Sequence, residues 1–167
     1  MSVKAFLLQP AGDARQKHFV WFGTIALICL ALSQLGSYLI YRFLPQGETV
    51  VVLPFLHFTH IRNLGGVFGM AQGQGWIFAL FSVALIAALV FYLWRSTQVR
   101  SYEFLCFGFV AGGGISNVLD RLVYGSVIDF INVQGIPYWN YVFNTADTFI
   151  HIGLWPMLLI ALFMHRD

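Results

Sequence analysis

Four long apolar stretches, at about residues 20–41, 76–94, 102–122 and 144–164, divide the chain, and polar positions concentrate between them. Each comes close to the roughly 20 residues that a helix needs to cross a ~30 Å hydrocarbon core. The first, from Val20 to Tyr41, is longer than the ~7–15-residue apolar region of a secretory signal, and no small-residue cleavage site follows it. It therefore predicts a membrane helix. Its polar stripe is Ser33, Gln34 and Ser37 beside Gly36, with Ser33 and Ser37 one turn apart on a shared face. Small residues at such a place let a neighbouring helix approach closely, the preferred reading over a site-lining role for Gln34. Trp76 and Trp94 bracket the second stretch as interface anchors. Ahead of the first stretch, Met1 to His18 carries Lys4, Pro10, Gly12, Asp13, Arg15 and Lys17 without a helical pattern, which predicts a flexible or surface-lying prelude.

Between the first two stretches the pattern changes. Residues 43–74 hold Pro45, Gly47 and Pro54, the β-branched run Val50-Val51-Val52, and glycines at 65, 66 and 69. Such a segment predicts a short strand or two on the membrane surface. His57 and His60 lie three apart without the intervening Glu of a helical zinc motif, so they read as interfacial histidines and not as metal ligands. Composition agrees with the pattern: of 167 residues 59% are hydrophobic and 10% charged, far from the ~45–50% apolar and ~25% charged residues of soluble domains. The expected architecture is a single all-α membrane domain over 1–167, four transmembrane helices with a small β element. A net charge of +2 with scattered basic residues excludes a nucleic-acid partner. Cys29 and Cys106 both fall in apolar spans and read as small hydrophobes.

Four spans put both termini on one side. Lys4, Arg15, Lys17, Arg95, Arg100 and Arg166 lie on that side, and Arg42, Arg62 and Arg121 on the other. The bias places the termini in the cytoplasm.

The candidate chemistry lies between Gly112 and Asp147, where Asp120, Asp129 and Asp147 sit at or near membrane depth. A carboxylate there costs roughly 2.5–3.5 kcal/mol or more and marks a functional candidate. Asp129 follows a turn signalled by Gly125, and Asp147 opens the fourth helix with Asn144 three residues before it, on the same face. If the third helix ends in the leaflet where the fourth begins, Asp129 and Asp147 meet. Two adjoining carboxylates cannot both ionise easily and share a proton, the requirement for aspartyl hydrolysis. Asp120 stands next to Arg121 and reads as a structural or headgroup-facing ion pair, while Arg121 is also shaped for a lipid phosphate. Asn117 and Asn144 could each hold a carbonyl, orient a carboxylate or bond between helices.

The blocks Asn63-Leu64-Gly65-Gly66-Val67-Phe68, Gly112-Gly113-Gly114-Ile115-Ser116-Asn117-Val118-Leu119-Asp120-Arg121, Val127-Ile128-Asp129-Phe130 and Phe143-Asn144-Thr145-Ala146-Asp147 resemble, in order and spacing, the motifs of the lipoprotein signal peptidase family, or signal peptidase II. The resemblance implies a bacterial inner-membrane aspartyl peptidase, working near the periplasmic leaflet without a metal or cofactor. It would remove the signal peptide of diacylglyceryl-modified prolipoproteins just before the lipidated cysteine. It implies an extracytoplasmic β-cradle over about 43–74, contact with membrane lipid, and inhibition by globomycin. Catalysis would fall to Asp129 and Asp147, support to Asn63, Asn117, Arg121 and Asn144, and the cradle-side motif to Gly65 and Phe68. One departure stands out. Where the family shows Asp-Gln and then Lys in the first helix, this chain has Ser33-Gln34 and then Ser37. Joint loss of acid and base suggests a structural pair, since losing one partner alone would leave an uncompensated buried charge. The rival expectation is a weak or inactive paralogue that binds lipidated substrates without turnover.

Overall fold

The computed structural model describes Gly12 and residues 15–163. Four helices, α1 (Arg15–Phe43), α2 (Gly75–Arg95), α3 (Ser101–Tyr124) and α4 (Thr145–Phe163), are each long and apolar enough to cross a membrane. Strands β1 (Thr49–Leu53) and β2 (Leu56–Asn63) follow α1, and β3 (Val127–Val133) and β4 (Val142–Phe143) lie between α3 and α4. The protein is a multi-pass membrane protein carrying a small antiparallel sheet of order β1-β2-β3-β4.

α3 is the central helix. Half of its apolar window is buried inside the protein, against 6–17% for the other three, because it carries the polar residues that lipid would exclude. Gly112, Gly113 and Gly114 point about 100° apart around the helix and meet different neighbours. A Cβ on Gly112 would stand 2.5 Å from the Ala26 carbonyl oxygen of α1, and one on Gly113 2.4 Å from that of Ala146 in α4. One on Gly114 would stand 3.0 Å from the Ile86 side chain of α2. Close helix approach, attributed above to the first helix, is thus secured chiefly by α3.

Two expectations need correction. Arg15 to His18 belong to α1 and not to a polar prelude: Arg15 donates to the carbonyls of Leu93 (2.9 Å) and Ser96 at the end of α2, where unpaired helix carbonyls favour a cation. His18 packs on Phe104 and Trp21. The rest of the prelude, residues 1–11 with 13 and 14, lies outside the described residues, as do Met164 and the three residues after it. The second correction concerns the sheet, which is twice the expected one because β3 and β4 come from 127–143. His60, expected at the interface, is buried, with its Nδ1 2.7 Å from the Leu44 carbonyl oxygen.

Gly125 sets the join between bundle and sheet. It ends α3 in the left-handed conformation (φ +73°), its N–H donating to the Arg121 carbonyl, an ordinary glycine helix stop. The chain then turns directly into β3, which pairs antiparallel with β2 so that Asp129 lies opposite Ile61 and Val127 opposite Asn63. The last residue of β2 and the third of β3 are thereby carried to the end of α3.

Candidate active site

Asp129 and Asp147 reach the site by different routes. Asp129 sits within β3, 5% exposed. Asp147 occupies the first turn of α4 and is half-buried. Asn144 caps that helix: its Oδ1 accepts from the Asp147 N–H (2.9 Å), and Asp147 Oδ2 accepts from the Asn144 N–H (3.3 Å). This reciprocal pair is a capping box, and it fixes the Asp147 carboxylate at the positive end of the helix dipole.

The same Asn144 joins the two acids. Its Nδ2 donates to Asp129 Oδ1 (2.8 Å) and to Asn117 Oδ1 (3.1 Å), while Asn117 Nδ2 donates to Asp147 Oδ1 (2.9 Å). The other oxygen of Asp129, Oδ2, accepts from Asn63 Nδ2 at 3.0 Å. Two carboxylates from separate elements are therefore held in one network by three amides. Burial, together with the Asp147 charge, pushes the Asp129 carboxyl up to about 7, against hydrogen bonds from Asn63 and Asn144 that pull it down. At neutral pH Asp129 can thus both hold and release a proton.

The remaining predicted residues lie on α3 and in the loop after β2. The buried Gly65 donates its N–H to Asn63 Oδ1 (3.0 Å) and accepts from Arg121 at 2.8 Å. Arg121 also reaches the Asn117 carbonyl (3.0 Å), so it clamps the loop after β2 onto α3. A Cβ on Gly65 would lie 2.1 Å from the Met70 carbonyl oxygen, so glycine is the residue that fits there. Phe68 lies in the 3-10 turn Val67–Gly69 of that loop.

Asp120 does not form the expected ion pair with Arg121. Adjacent positions on a helix point about 100° apart, and the two side chains find different partners. Asp120, 1% exposed, accepts from Gln34 Nε2 (2.7 Å), Ser37 Oγ (2.9 Å) and the Ile128 N–H (3.1 Å). It pins α1 and β3 to α3, one residue from Asp129. Gln34, weighed above as a site-lining residue, bonds Asp120 and Ser116. Sequence reasoning missed Gln72, which bonds the Asn63 side chain; an exposed glutamine in a glycine-rich loop gives no periodic signal.

A groove of about 480 Å³ opens beside the network, lined by Leu64, Trp76, Ala79, Leu80 and Leu122, with Arg121 the only charged residue in its wall. Leu80 and Leu122 are 62% and 74% exposed, so its rim continues onto the exposed apolar surface of the helices.

The family model described as signal peptidase (SPase) II matches residues 25–164. The chain is similar to the lipoprotein signal peptidase of Brevibacillus brevis, 33% identical over 141 residues, covering 84% of this chain and 93% of that protein. It is likewise similar to the lipoprotein signal peptidase of Syntrophomonas wolfei, 34% identical over 142 residues and covering 85% and 92%. Among solved structures, a bacterial membrane enzyme determined in meso at 2.3 Å superposes with a TM-score of 0.77 at 27% identity, covering 83% of this chain and 85% of that one. A second, at 1.9 Å, gives 0.74 at 28% identity.

Proposed function

This chain belongs to the signal peptidase II family, and we propose that it removes the signal peptide of diacylglyceryl-modified prolipoproteins by an aspartyl mechanism carried by Asp129 and Asp147. The observation that carries the proposal is the network in which Asn144 bonds both carboxylates at once. In the proposed mechanism Asp129, raised by burial and by the Asp147 charge, carries the proton and Asp147 enters ionised. The ionised partner, Asp147, takes a proton from water as the oxygen attacks the scissile carbonyl. Asp129 gives its proton to the carbonyl oxygen, forming a neutral tetrahedral diol. Collapse of the diol breaks the C–N bond, returns a hydroxyl proton to Asp129 and passes the Asp147 proton to the leaving amine.

The substrate's lipid has a place to lie. The groove at Trp76, Leu80 and Leu122 is apolar with exposed leucines at its rim, which suits acyl chains, while Arg121 marks its polar side. The basic residues facing the N-terminal side support an inner-membrane orientation with cytoplasmic termini and the site at the periplasmic leaflet. Globomycin would compete at the same site.

The test is cleavage of a synthetic diacylglyceryl-modified prolipoprotein by the purified protein in detergent. Turnover abolished by globomycin is expected. Binding of the lipidated substrate without turnover would instead establish the non-enzymatic paralogue.

The proton on Asp129 sets the pH dependence. Loss of that proton leaves two ionised acids and no donor for the carbonyl oxygen, so kcat/KM is expected to fall as pH rises through about 7. Stability carries the same sign: a raised acid contributes fully below the ordinary carboxylate range, and the contribution is lost as pH rises through about 7. A pH–rate profile that stays flat to pH 9 would remove Asp129 from the donor role.

A further inference from the structure

We propose that Gln72 is a positioning residue for the Asp129 carboxylate, acting through the side chain of Asn63. The proposal rests on the assignment of Asp129 to the reaction and extends it to a residue outside the family motifs. Gln72 lies in the loop between the 3-10 turn and α2. Its Nε2 donates to Asn63 Oδ1 (3.2 Å) and to the Gly69 carbonyl (2.7 Å), and its Oε1 accepts from the Leu64 N–H (3.1 Å). Asn63 Oδ1 also receives the Gly65 N–H at 3.0 Å.

The polarity of that arrangement matters. A carboxamide has one accepting oxygen and one nitrogen with two donors. Two N–H groups converge on Asn63 Oδ1, so Nδ2 faces the Gly66 carbonyl (3.1 Å) and Asp129 Oδ2 (3.0 Å). Rotating the amide by half a turn would set oxygen against the Asp129 carboxylate and nitrogen against both donors. Gly65 and Gln72 supply the two donors that hold Oδ1, Gln72 the only side chain of the pair, while the Gly66 carbonyl holds the nitrogen from the other side.

The loop is built to keep Gln72 in place. Ala71 holds φ +50° and its near neighbours Gly69 and Gly73 hold +72° and +84°. An alanine in left-handed conformation persists only where its surroundings fix it, and such residues cluster at functional sites. Here the Gly66 N–H bonds the Met70 carbonyl (2.8 Å) and the Gly73 N–H bonds that of Leu64 (3.1 Å), closing the loop on either side of Ala71.

Asn63 bonding favours the ionised form of Asp129. The charged groups that act on Asp129 are Asp147 of α4 and Asp120 and Arg121 of α3, and a substitution at Gln72 changes none of them. A looser Asn63 therefore lets Asp129 keep its proton to higher pH.

The experiment compares Gln72→Leu and Gln72→Met with the unsubstituted protein on a synthetic diacylglyceryl-modified prolipoprotein, with Asp129→Asn alongside. Both Gln72 variants are expected to lower kcat about fivefold, the effect of one neutral hydrogen bond. KM should stay within about twofold, and the alkaline limb of the pH–rate profile should move up by about half a unit. An unchanged kcat and limb, with Asp129→Asn inactive, overturns the role of Gln72 and leaves Asp129 standing. A fall in kcat matched by a fall in Tm, with the limb unmoved, makes Gln72 a loop tie and overturns the proposal as well. Full activity of Asp129→Asn overturns the premise about Asp129 itself.

Discussion

Asp129→Asn and Asp147→Asn are each expected to lower cleavage of a lipidated prolipoprotein by on the order of 10³-fold or more, since each removes one of the two proton carriers. The two variants differ in what they do to the fold. Asp129 accepts from Asn144 Nδ2 at one oxygen and from Asn63 Nδ2 at the other, so an amide there leaves one donor facing an NH₂ group, a cost offset above neutral pH because burial and Asp147 disfavour the ionised acid. Asp147 accepts from both the Asn144 N–H and Asn117 Nδ2. An amide offers one acceptor where the carboxylate offered two, so Asp147→Asn leaves one donor facing an NH₂ group, at about 1–2 kcal/mol. Activity loss far beyond what the Tm changes account for would separate chemistry from stability. Cleavage at the unsubstituted rate by either variant removes that residue from the dyad.

Asp129, Asp147 and Asn144 are legible in the sequence from local signals, whereas Asn63, Gly65, Phe68 and Arg121 enter only through the resemblance to the family motifs. Asn144 and Asp147 are spaced as a capping box at the start of an apolar run, and Gly125 marks the end of α3 by the backbone conformation it adopts. Long apolar spans are likewise unmistakable, since a bilayer fixes their length. What stayed hidden depends on partners distant in sequence. Strand β3 reads Val-Ile-Asp-Phe-Ile-Asn-Val without clean alternation, because its first four residues are all buried, whichever face of the strand they occupy. Pairing with β2 makes it a strand. Arg121 next to Asp120 predicts an ion pair, yet helical geometry sends neighbours in different directions, and the side-chain partners of Asp120 lie more than eighty residues earlier, in α1. Gln72 acts through one amide contact that no spacing rule describes.

These contacts make the first helix a place where the role of a buried serine face can be measured. Ser37 donates to Asp120, and Ser33, one turn earlier, is 1% exposed with its Oγ lacking a hydrogen-bond partner among the described residues. Ser33→Asp would add a second acid to a buried helix interface with no cation in place for it. The expected cost is about 3–5 kcal/mol, that of an uncompensated buried charge, or roughly 6–20 °C in Tm. Ser37→Lys in the same protein sets an ammonium one turn from the new carboxylate and against Asp120, and should restore most of the loss. Ser37→Lys alone should be close to neutral, because the ammonium donates to Asp120 where the hydroxyl did, at the expense of its own desolvation. Thermal unfolding of the three variants in detergent decides the matter: equal midpoints would mean that the serine face is wet or slack. A deep loss with recovery would mean that two neutral hydroxyls replace an ion pair here without disturbing the strand that carries Asp129.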